Sequence, residues 1–138
     1  MVMEKNCILI IDDDVWIQKM LSKILESFGF TVLPASNGYE GISLAVEHQP
    51  LCVILDILMP ELNGHQTLKI LKIIKSTQQI PVLMLSAMSD SENLGLAVKS
   101  GIAGFISKPF NRNSVFDKLM NLFGKEALEA IGKQNSEC

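Results

Sequence analysis

The sequence predicts an α/β fold built on a doubly wound parallel sheet. Three observations carry that expectation. Short, continuous apolar runs recur along the chain, which is the pattern of strands buried on both faces. Between them lie stretches whose apolar residues fall at helical spacing. Glycine, proline, asparagine and aspartate punctuate the junctions and leave room only for short connections.

Taken in order, Cys7–Ile11 (Cys-Ile-Leu-Ile-Ile) is the first strand, with Asp12-Asp13-Asp14 directly after it. Ile17, Met20, Leu21, Ile24, Leu25 and Phe28 then recur at i, i+3, i+4, i+7, i+8 and i+11, the stripe of an amphipathic helix, and Gly29 closes it. Phe30–Ala35 is the second strand, and Ser36-Asn37-Gly38 turns the chain. Tyr39, Ile42, Ala45 and Val46 mark the second helix, which ends before Pro50. Leu51–Leu55 is the third strand, an apolar run closed by the single carboxylate of Asp56; Pro60 and Asn63-Gly64 mark the turn that follows. Leu68, Leu71 and Ile74 define the third helix, with Ile70 and Ile73 widening its apolar face. Ile80–Leu85 is the fourth strand, with Pro81 tolerated near its start and Ser86-Ala87 at its end. Leu94, Ala97 and Val98 sit on a short fourth helix that stops at Gly101; Gly95 inside it costs about 1 kcal/mol relative to alanine. Gly104–Ser107 is the fifth strand, followed by Lys108-Pro109, and Val115, Leu119, Leu122 and Phe123 define the fifth helix. Gly124 interrupts there, so the expected domain is 1–124. Residues 125–138 form a tail that is polar except for Ala127, Leu128, Ala130 and Ile131. It is expected at most to extend the last helix by a turn or two and is too short for an output domain.

Strict strand–helix alternation with short connections implies right-handed crossovers and helices on both faces of the sheet. Five strands and five helices fit the flavodoxin-like order 2-1-3-4-5. In that order the first and third strands are neighbours at the switch point, so Asp12, Asp13 and Asp56 converge at one edge, where open α/β sheets bind ligands.

Composition narrows the function. The 138 residues suit one domain, and 48% apolar with 20% charged residues is ordinary for a soluble globular chain. A net charge of −3 with no basic stripe argues against direct nucleic-acid binding. The longest apolar runs fall far below the roughly 20 residues of a membrane span. The start, Met-Val-Met-Glu-Lys-Asn-Cys, has none of the parts of a signal peptide, so a cytoplasmic location without membrane insertion is expected. Cys7, Cys52 and Cys138 match no metal or disulfide framework; Cys7 and Cys52 open apolar strands and read as small buried hydrophobes, while Cys138, the last residue, is expected to be exposed.

The chemistry collects at the strand ends: Asp12-Asp13 from the first, Asp56 from the third, Ser86 from the fourth and Lys108 from the fifth. Carboxylates a few ångström apart stay ionised only with a cation among them. Oxygen ligands of this kind, few in number, suit Mg²⁺ beside a phosphate guest. A carboxylate nucleophile, a divalent cation, a lysine and a hydroxyl are the parts needed to move a phosphoryl group onto an aspartate.

Over roughly Asn6–Phe123 the chain resembles the receiver domain of two-component response regulators. The matching pieces are Ile10-Ile11-Asp12-Asp13, Asp56 through Gly64 (Asp-Ile-Leu-Met-Pro-Glu-Leu-Asn-Gly), Ser86-Ala87, and Phe105-Ile106-Ser107-Lys108-Pro109-Phe110. The resemblance implies that Asp56 accepts a phosphoryl group from a phosphohistidine on a sensor histidine kinase or a histidine phosphotransfer protein. It implies that Asp12, Asp13, Asp56 and the backbone carbonyl of Leu58 hold Mg²⁺, with Mn²⁺ as the alternative ion. Ser86, the backbone of Ala87 and Lys108 would contact the phosphoryl group, and the Lys108–Pro109 peptide would be cis. Ser86 and Phe105 would form the switch, the hydroxyl moving to the phosphate and the ring turning inward behind it. The face of the fourth helix, fifth strand and fifth helix would then change its affinity for a downstream protein, as a monomer or as a homodimer favoured by phosphorylation. Phe105 has no hydroxyl where tyrosine is the family's alternative, so its switch would act by packing alone. Ser86 lacks threonine's methyl group, and apolar Leu58 stands where the family controls how water reaches the acyl phosphate.

Other functions fit less well. A phosphorylation-independent binding module of the same fold would predict loss of Asp56, the acid pair or Lys108, and all are present. An aspartyl-phosphate hydrolase would carry Asp-x-Asp-x-Thr/Val after its first strand, and Asp12-Asp13-Asp14-Val15-Trp16 lacks the last residue. The chain therefore reads as a single-domain switch that assists its own phosphorylation and dephosphorylation, not as a turnover enzyme. A nucleotide binder would need a glycine-rich first turn. Asp14 reads as the N-cap of the first helix. His48 and His65 read as isolated surface residues, Trp16 as partly exposed, and Met20, Met84, Met88 and Met120 as gap-fillers and surface residues.

Overall fold

The computed structural model describes residues 6–87, 95, 99 and 101–136. In chain order the described elements are β1 (Cys7–Ile11), α1 (Val15–Ser27), β2 (Thr31–Ala35), α2 (Gly38–His48), β3 (Cys52–Asp56), α3 (Gly64–Ile73), β4 (Val82–Ala87), β5 (Gly104–Lys108), α4 (Arg112–Phe123) and α5 (Lys125–Ser136). The expected helix on Leu94, Ala97 and Val98 lies outside the described residues, as do Met88 and Cys138. Helix α4 is thus the one that the sequence counted as fifth.

The strands form one parallel sheet in the order β2-β1-β3-β4-β5. Every residue of β1 and β3 is buried, as unbroken apolar runs require. Because side chains alternate across a strand, each run feeds two cores. Ile8, Ile10, Cys52, Ile54, Leu83, Leu85 and Ile106 face Leu21, Leu25, Val115 and Leu119 of α1 and α4. Leu9, Ile11, Val53, Leu55, Val82 and Met84 face Ala45, Leu68 and Leu71 of α2 and α3. The register sets Ile11 beside Leu55, Asp56 beside Leu85, and Ala87 beside Lys108, which brings the strand ends to one edge.

Several details differ from the sequence pattern. The helical stripes are narrower than their spacing suggested: Met20 is 52% exposed and Ile73 73%, and Tyr39 and Val46 also face water. Helix α2 instead turns Gly38, Gly41 and Ala45 inward, and a Cβ on Gly41 would stand 2.6 Å from Ile11 Cγ1, so only glycine lets α2 lie this close to β1. Strand β2 starts at Thr31, because the N–H of Phe30 donates to Leu25 and so finishes the helix end. Strand β4 starts at Val82 and runs through Ala87, so Ser86 is a strand residue. His65 is not a free surface residue: it is half-buried, with both ring nitrogens out of water. The first turn of α3 is drawn against the end of β3, where the N–H of Gly64 donates to Ile57 at 2.8 Å.

The segment after α4 is a helix of its own, not an extension. Gly124, at φ +88°, breaks the chain direction, and α5 folds back to bury Leu128 and Ile131 in the same core as Phe30 and Leu119. Its Gly132 meets Gly29 so closely that a Cβ on Gly29 would stand 3.0 Å from Gly132 Cα. Among the described residues no helix is long and apolar enough to cross a membrane.

Candidate functional site

Asp12 leaves β1 fully buried, with its N–H donating to the Ala35 carbonyl at 3.0 Å. Its Oδ1 accepts the N–H of Asp14 at 2.8 Å. Asp14 caps α1 by accepting the N–H groups of Trp16 at 2.9 Å and Ile17 at 3.4 Å. Asp13, between them, is exposed. Asp56 ends β3 at 5% exposure. Carboxylate oxygens of Asp12, Asp13 and Asp56 lie within 4.8 Å of one another.

Lys108, at the end of β5, closes the group. Its Nζ donates to Asp56 Oδ1 at 3.0 Å and stands 3.5 Å from Asp12 Oδ2. The Lys108–Pro109 peptide bond is cis. Ser86 is buried, and its hydroxyl donates to the Ala87 carbonyl at 3.2 Å. Leu58 is exposed on the β3–α3 loop, whereas Ile57, Met59 and Leu62 on the same loop are buried and anchor it. Phe105 is half-buried at the edge of the core, with Lys118 Nζ 4.8 Å from its ring centre. It therefore combines core packing with a charged neighbour that the sequence did not point to. Trp16 is 73% exposed, more than expected, with Lys19 Nζ 5.3 Å from its ring centre.

The electrostatics follow from burial. Asp56 is pushed up to about 6, first by desolvation and then by the charge of Asp12, against the hydrogen bond from Lys108. Asp12 is also raised by desolvation, opposed by the Asp14 N–H and the charge of Lys108. Burial pulls Lys108 down, but its hydrogen bond to Asp56 and the charges of Asp56 and Asp12 outweigh that and raise it. Asp12 Oδ2 is buried, and among the described residues it accepts no hydrogen bond; its one charged neighbour there is Lys108 Nζ at 3.5 Å. Among the described residues, three carboxylates face one lysine, which leaves two negative charges uncompensated. An oxygen-only donor set with that deficit fits a hard divalent cation such as Mg²⁺.

Two residues support the site in ways the motif reading did not give them. Gln18 is buried beside the acid pair, and its only signal was its place three and seven residues before Leu21 and Leu25. Gly64 packs on the backbone of Asp56 and Ile57, where a Cβ would stand 2.7 Å from Ile57 Cα. In the sequence Gly64 stood as a turn residue and as the end of the matched motif, with no packing role.

Fold and site together define a doubly wound α/β protein with an acidic, lysine-bordered pocket at its switch point. Residues 8–120 match the family described as the response regulator receiver domain, and the chain belongs to that family. In this family the domain is the phosphoacceptor switch of two-component signalling, its acidic pocket binds Mg²⁺, and it works with histidine kinases and downstream effectors. Similar proteins include the transcriptional regulatory protein CpxR homolog of Haemophilus influenzae, 33% identical over 94% of this chain and 56% of that protein. The transcriptional regulatory protein SrrA of Staphylococcus aureus is 36% identical over 80% of this chain and 44% of its own length. The chain thus spans about half the length of these curated relatives. Among solved structures, the chemotaxis protein CheY4 of Vibrio cholerae is similar with a TM-score of 0.78 at 27% identity, covering 86% of this chain and 98% of that one. A response regulator receiver domain protein of Clostridium thermocellum reaches a TM-score of 0.75 at 28% identity, covering 94% of this chain and 96% of that one.

Proposed function

We propose that this chain is a Mg²⁺-dependent phosphoacceptor switch in which Asp56 takes a phosphoryl group from a phosphohistidine. The observation that carries this reading is the buried Asp56 carboxylate, with Lys108 Nζ at 3.0 Å and the Asp12 and Asp13 carboxylates within 4.8 Å. The donor is a sensor histidine kinase or a histidine phosphotransfer protein. One Asp56 oxygen forms the new O–P bond as the P–N bond to the donor imidazole breaks. The electron pair leaves with the ring nitrogen, which takes up a proton. Lys108 turns from pairing two carboxylates to neutralising the arriving phosphoryl oxygens. Asp12, Asp13, Asp56 and the backbone carbonyl of Leu58 would hold the Mg²⁺, with Mn²⁺ as a substitute. When bound, the ion supplies the positive charge that offsets carboxylate and phosphoryl oxygens together.

The readout parts are in reach of the same edge. Ser86 exchanges its bond to the Ala87 carbonyl for a phosphoryl oxygen, to which the Ala87 backbone also contributes. Phe105 then packs inward by shape alone. We take the chain to signal by contact with a downstream protein through the face that includes β5 and α4, as a cytoplasmic monomer or a homodimer favoured by phosphorylation. It acts on no external substrate by turnover.

Incubation with Mg²⁺ and acetyl phosphate, followed by intact-mass measurement, tests the reading. The expected result is the addition of one phosphoryl group, acid-stable and base-labile, and absent in Asp56→Ala. No addition to the parent, with a kinase also supplied, sinks the proposal. Steady phosphate release from varied monoesters would favour a hydrolase instead.

A further inference from the structure

We infer that Gln18 is a positioning residue for the acidic pocket, acting on Asp13 through the backbone; this rests on the metal-binding reading proposed above. Gln18 lies on the buried stripe of α1 and is itself buried. Its Nε2 donates to the Asp12 carbonyl at 2.6 Å, to the Ala35 carbonyl at 3.0 Å, and to Ser36 Oγ at 3.3 Å. The Ala35 carbonyl also accepts the N–H of Asp12 at 3.0 Å. One amide therefore ties the ends of β1 and β2 together where the chain leaves the sheet.

The Asp12 carbonyl belongs to the peptide unit that carries the N–H of Asp13. With that oxygen held at 2.6 Å, the peptide plane is held too. On the other side, the N–H of Asp14 is held by Asp12 Oδ1 at 2.8 Å, and Asp14 is locked as the α1 cap. Asp13 itself is exposed, and among the described residues no hydrogen bond holds its carboxylate. Among the described residues, what fixes the Cα–Cβ direction from which it reaches the pocket is the backbone held on either side. Asp12 and Asp56 have contacts of their own with Lys108, so they depend on Gln18 less. Partners that orient a metal ligand from behind are worth about 10- to 100-fold in affinity.

The test is Mg²⁺ affinity measured by calorimetry on the full chain. Gln18→Met keeps the side-chain length and removes both N–H donors. Gln18→Asn keeps the amide, one methylene too short to reach. Leu119→Ala lowers stability in the core without touching the pocket. Both Gln18 variants are expected to bind Mg²⁺ about tenfold more weakly than the parent, while Leu119→Ala binds as the parent does. Unchanged affinity in Gln18→Met, or an equal loss in Leu119→Ala, overturns the assignment. A parent that binds no Mg²⁺ overturns the metal reading of the pocket itself.

Discussion

Asp56 is placed in conflict with its surroundings. Burial and the neighbouring Asp12 hold its proton up to about pH 6, whereas the same group in an unfolded chain releases it near 3.8. Between those values the folded state binds more protons, so the metal-free protein loses stability as pH rises through that window. The loss is on the order of 2 to 3 kcal/mol, since each pKa unit is about 1.4 kcal/mol. Asp56→Asn removes the charge and keeps the shape. In chelator, the variant is therefore expected to be more stable than the parent at pH 7, with the gap closing toward pH 4. Urea unfolding of both proteins across that range measures it, and parallel pH profiles would count against the buried-charge account. The strain also has a use: a site that holds uncompensated negative charge has that much to gain from a cation.

The β3–α3 connection shows how an element's placement serves the site. Asn63 and Gln66 form a capping box, each side chain bonding the other's backbone N–H, which starts α3 at a defined residue. Gly64 then lets that first turn rest on the backbone of Asp56 and Ile57. Backbone atoms cannot rotate aside, so Gly64→Ala has to push α3 away from β3. The expected cost is about 2 kcal/mol, as for other overpacked positions, together with slower phosphoryl uptake at Asp56. Denaturant midpoints and the mass assay check the two effects. A stability within about 0.5 kcal/mol of the parent would show that the loop yields freely.

Helix α5 changes how the whole chain is held. Leu128 and Ile131, three apart and therefore on one helical face, join the core that holds Leu25 of α1 and Leu119 of α4. Phe28, Phe116, Met120 and Leu128, with Lys125 and Glu129, line a surface pocket of about 240 Å³ beside that contact. Leu128→Ala is expected to cost about 2 to 3 kcal/mol, the lower part of the range for core leucines, because the site lies at the core's edge. Thermal or urea unfolding reads this directly. A change below about 0.5 kcal/mol would mean that α5 is a loosely docked appendage.

Much of this was legible from local pattern. An unbroken apolar run such as Ile8–Ile11 can be satisfied only by burial on both faces, and alternation with helical stripes then leaves few ways to order a parallel sheet. Asp12, Asp13, Asp56, Ser86 and Lys108 stood out because each lies at the carboxyl end of a strand, where the chain leaves the sheet. Three-dimensional packing decided the rest. Spacing marks the residues of a helix that share a side, but not how much of that side the sheet covers, so Met20 and Ile73 face water while Gly41 faces the core. The apolar pair Leu128 and Ile131 was visible, but nothing local says which surface a short helix will cover. Gln18 looked like any polar residue until two strand ends met around its amide. The proton affinity of Asp56 depends on desolvation and on charges dozens of residues away in sequence, and these become neighbours only when the sheet closes its register.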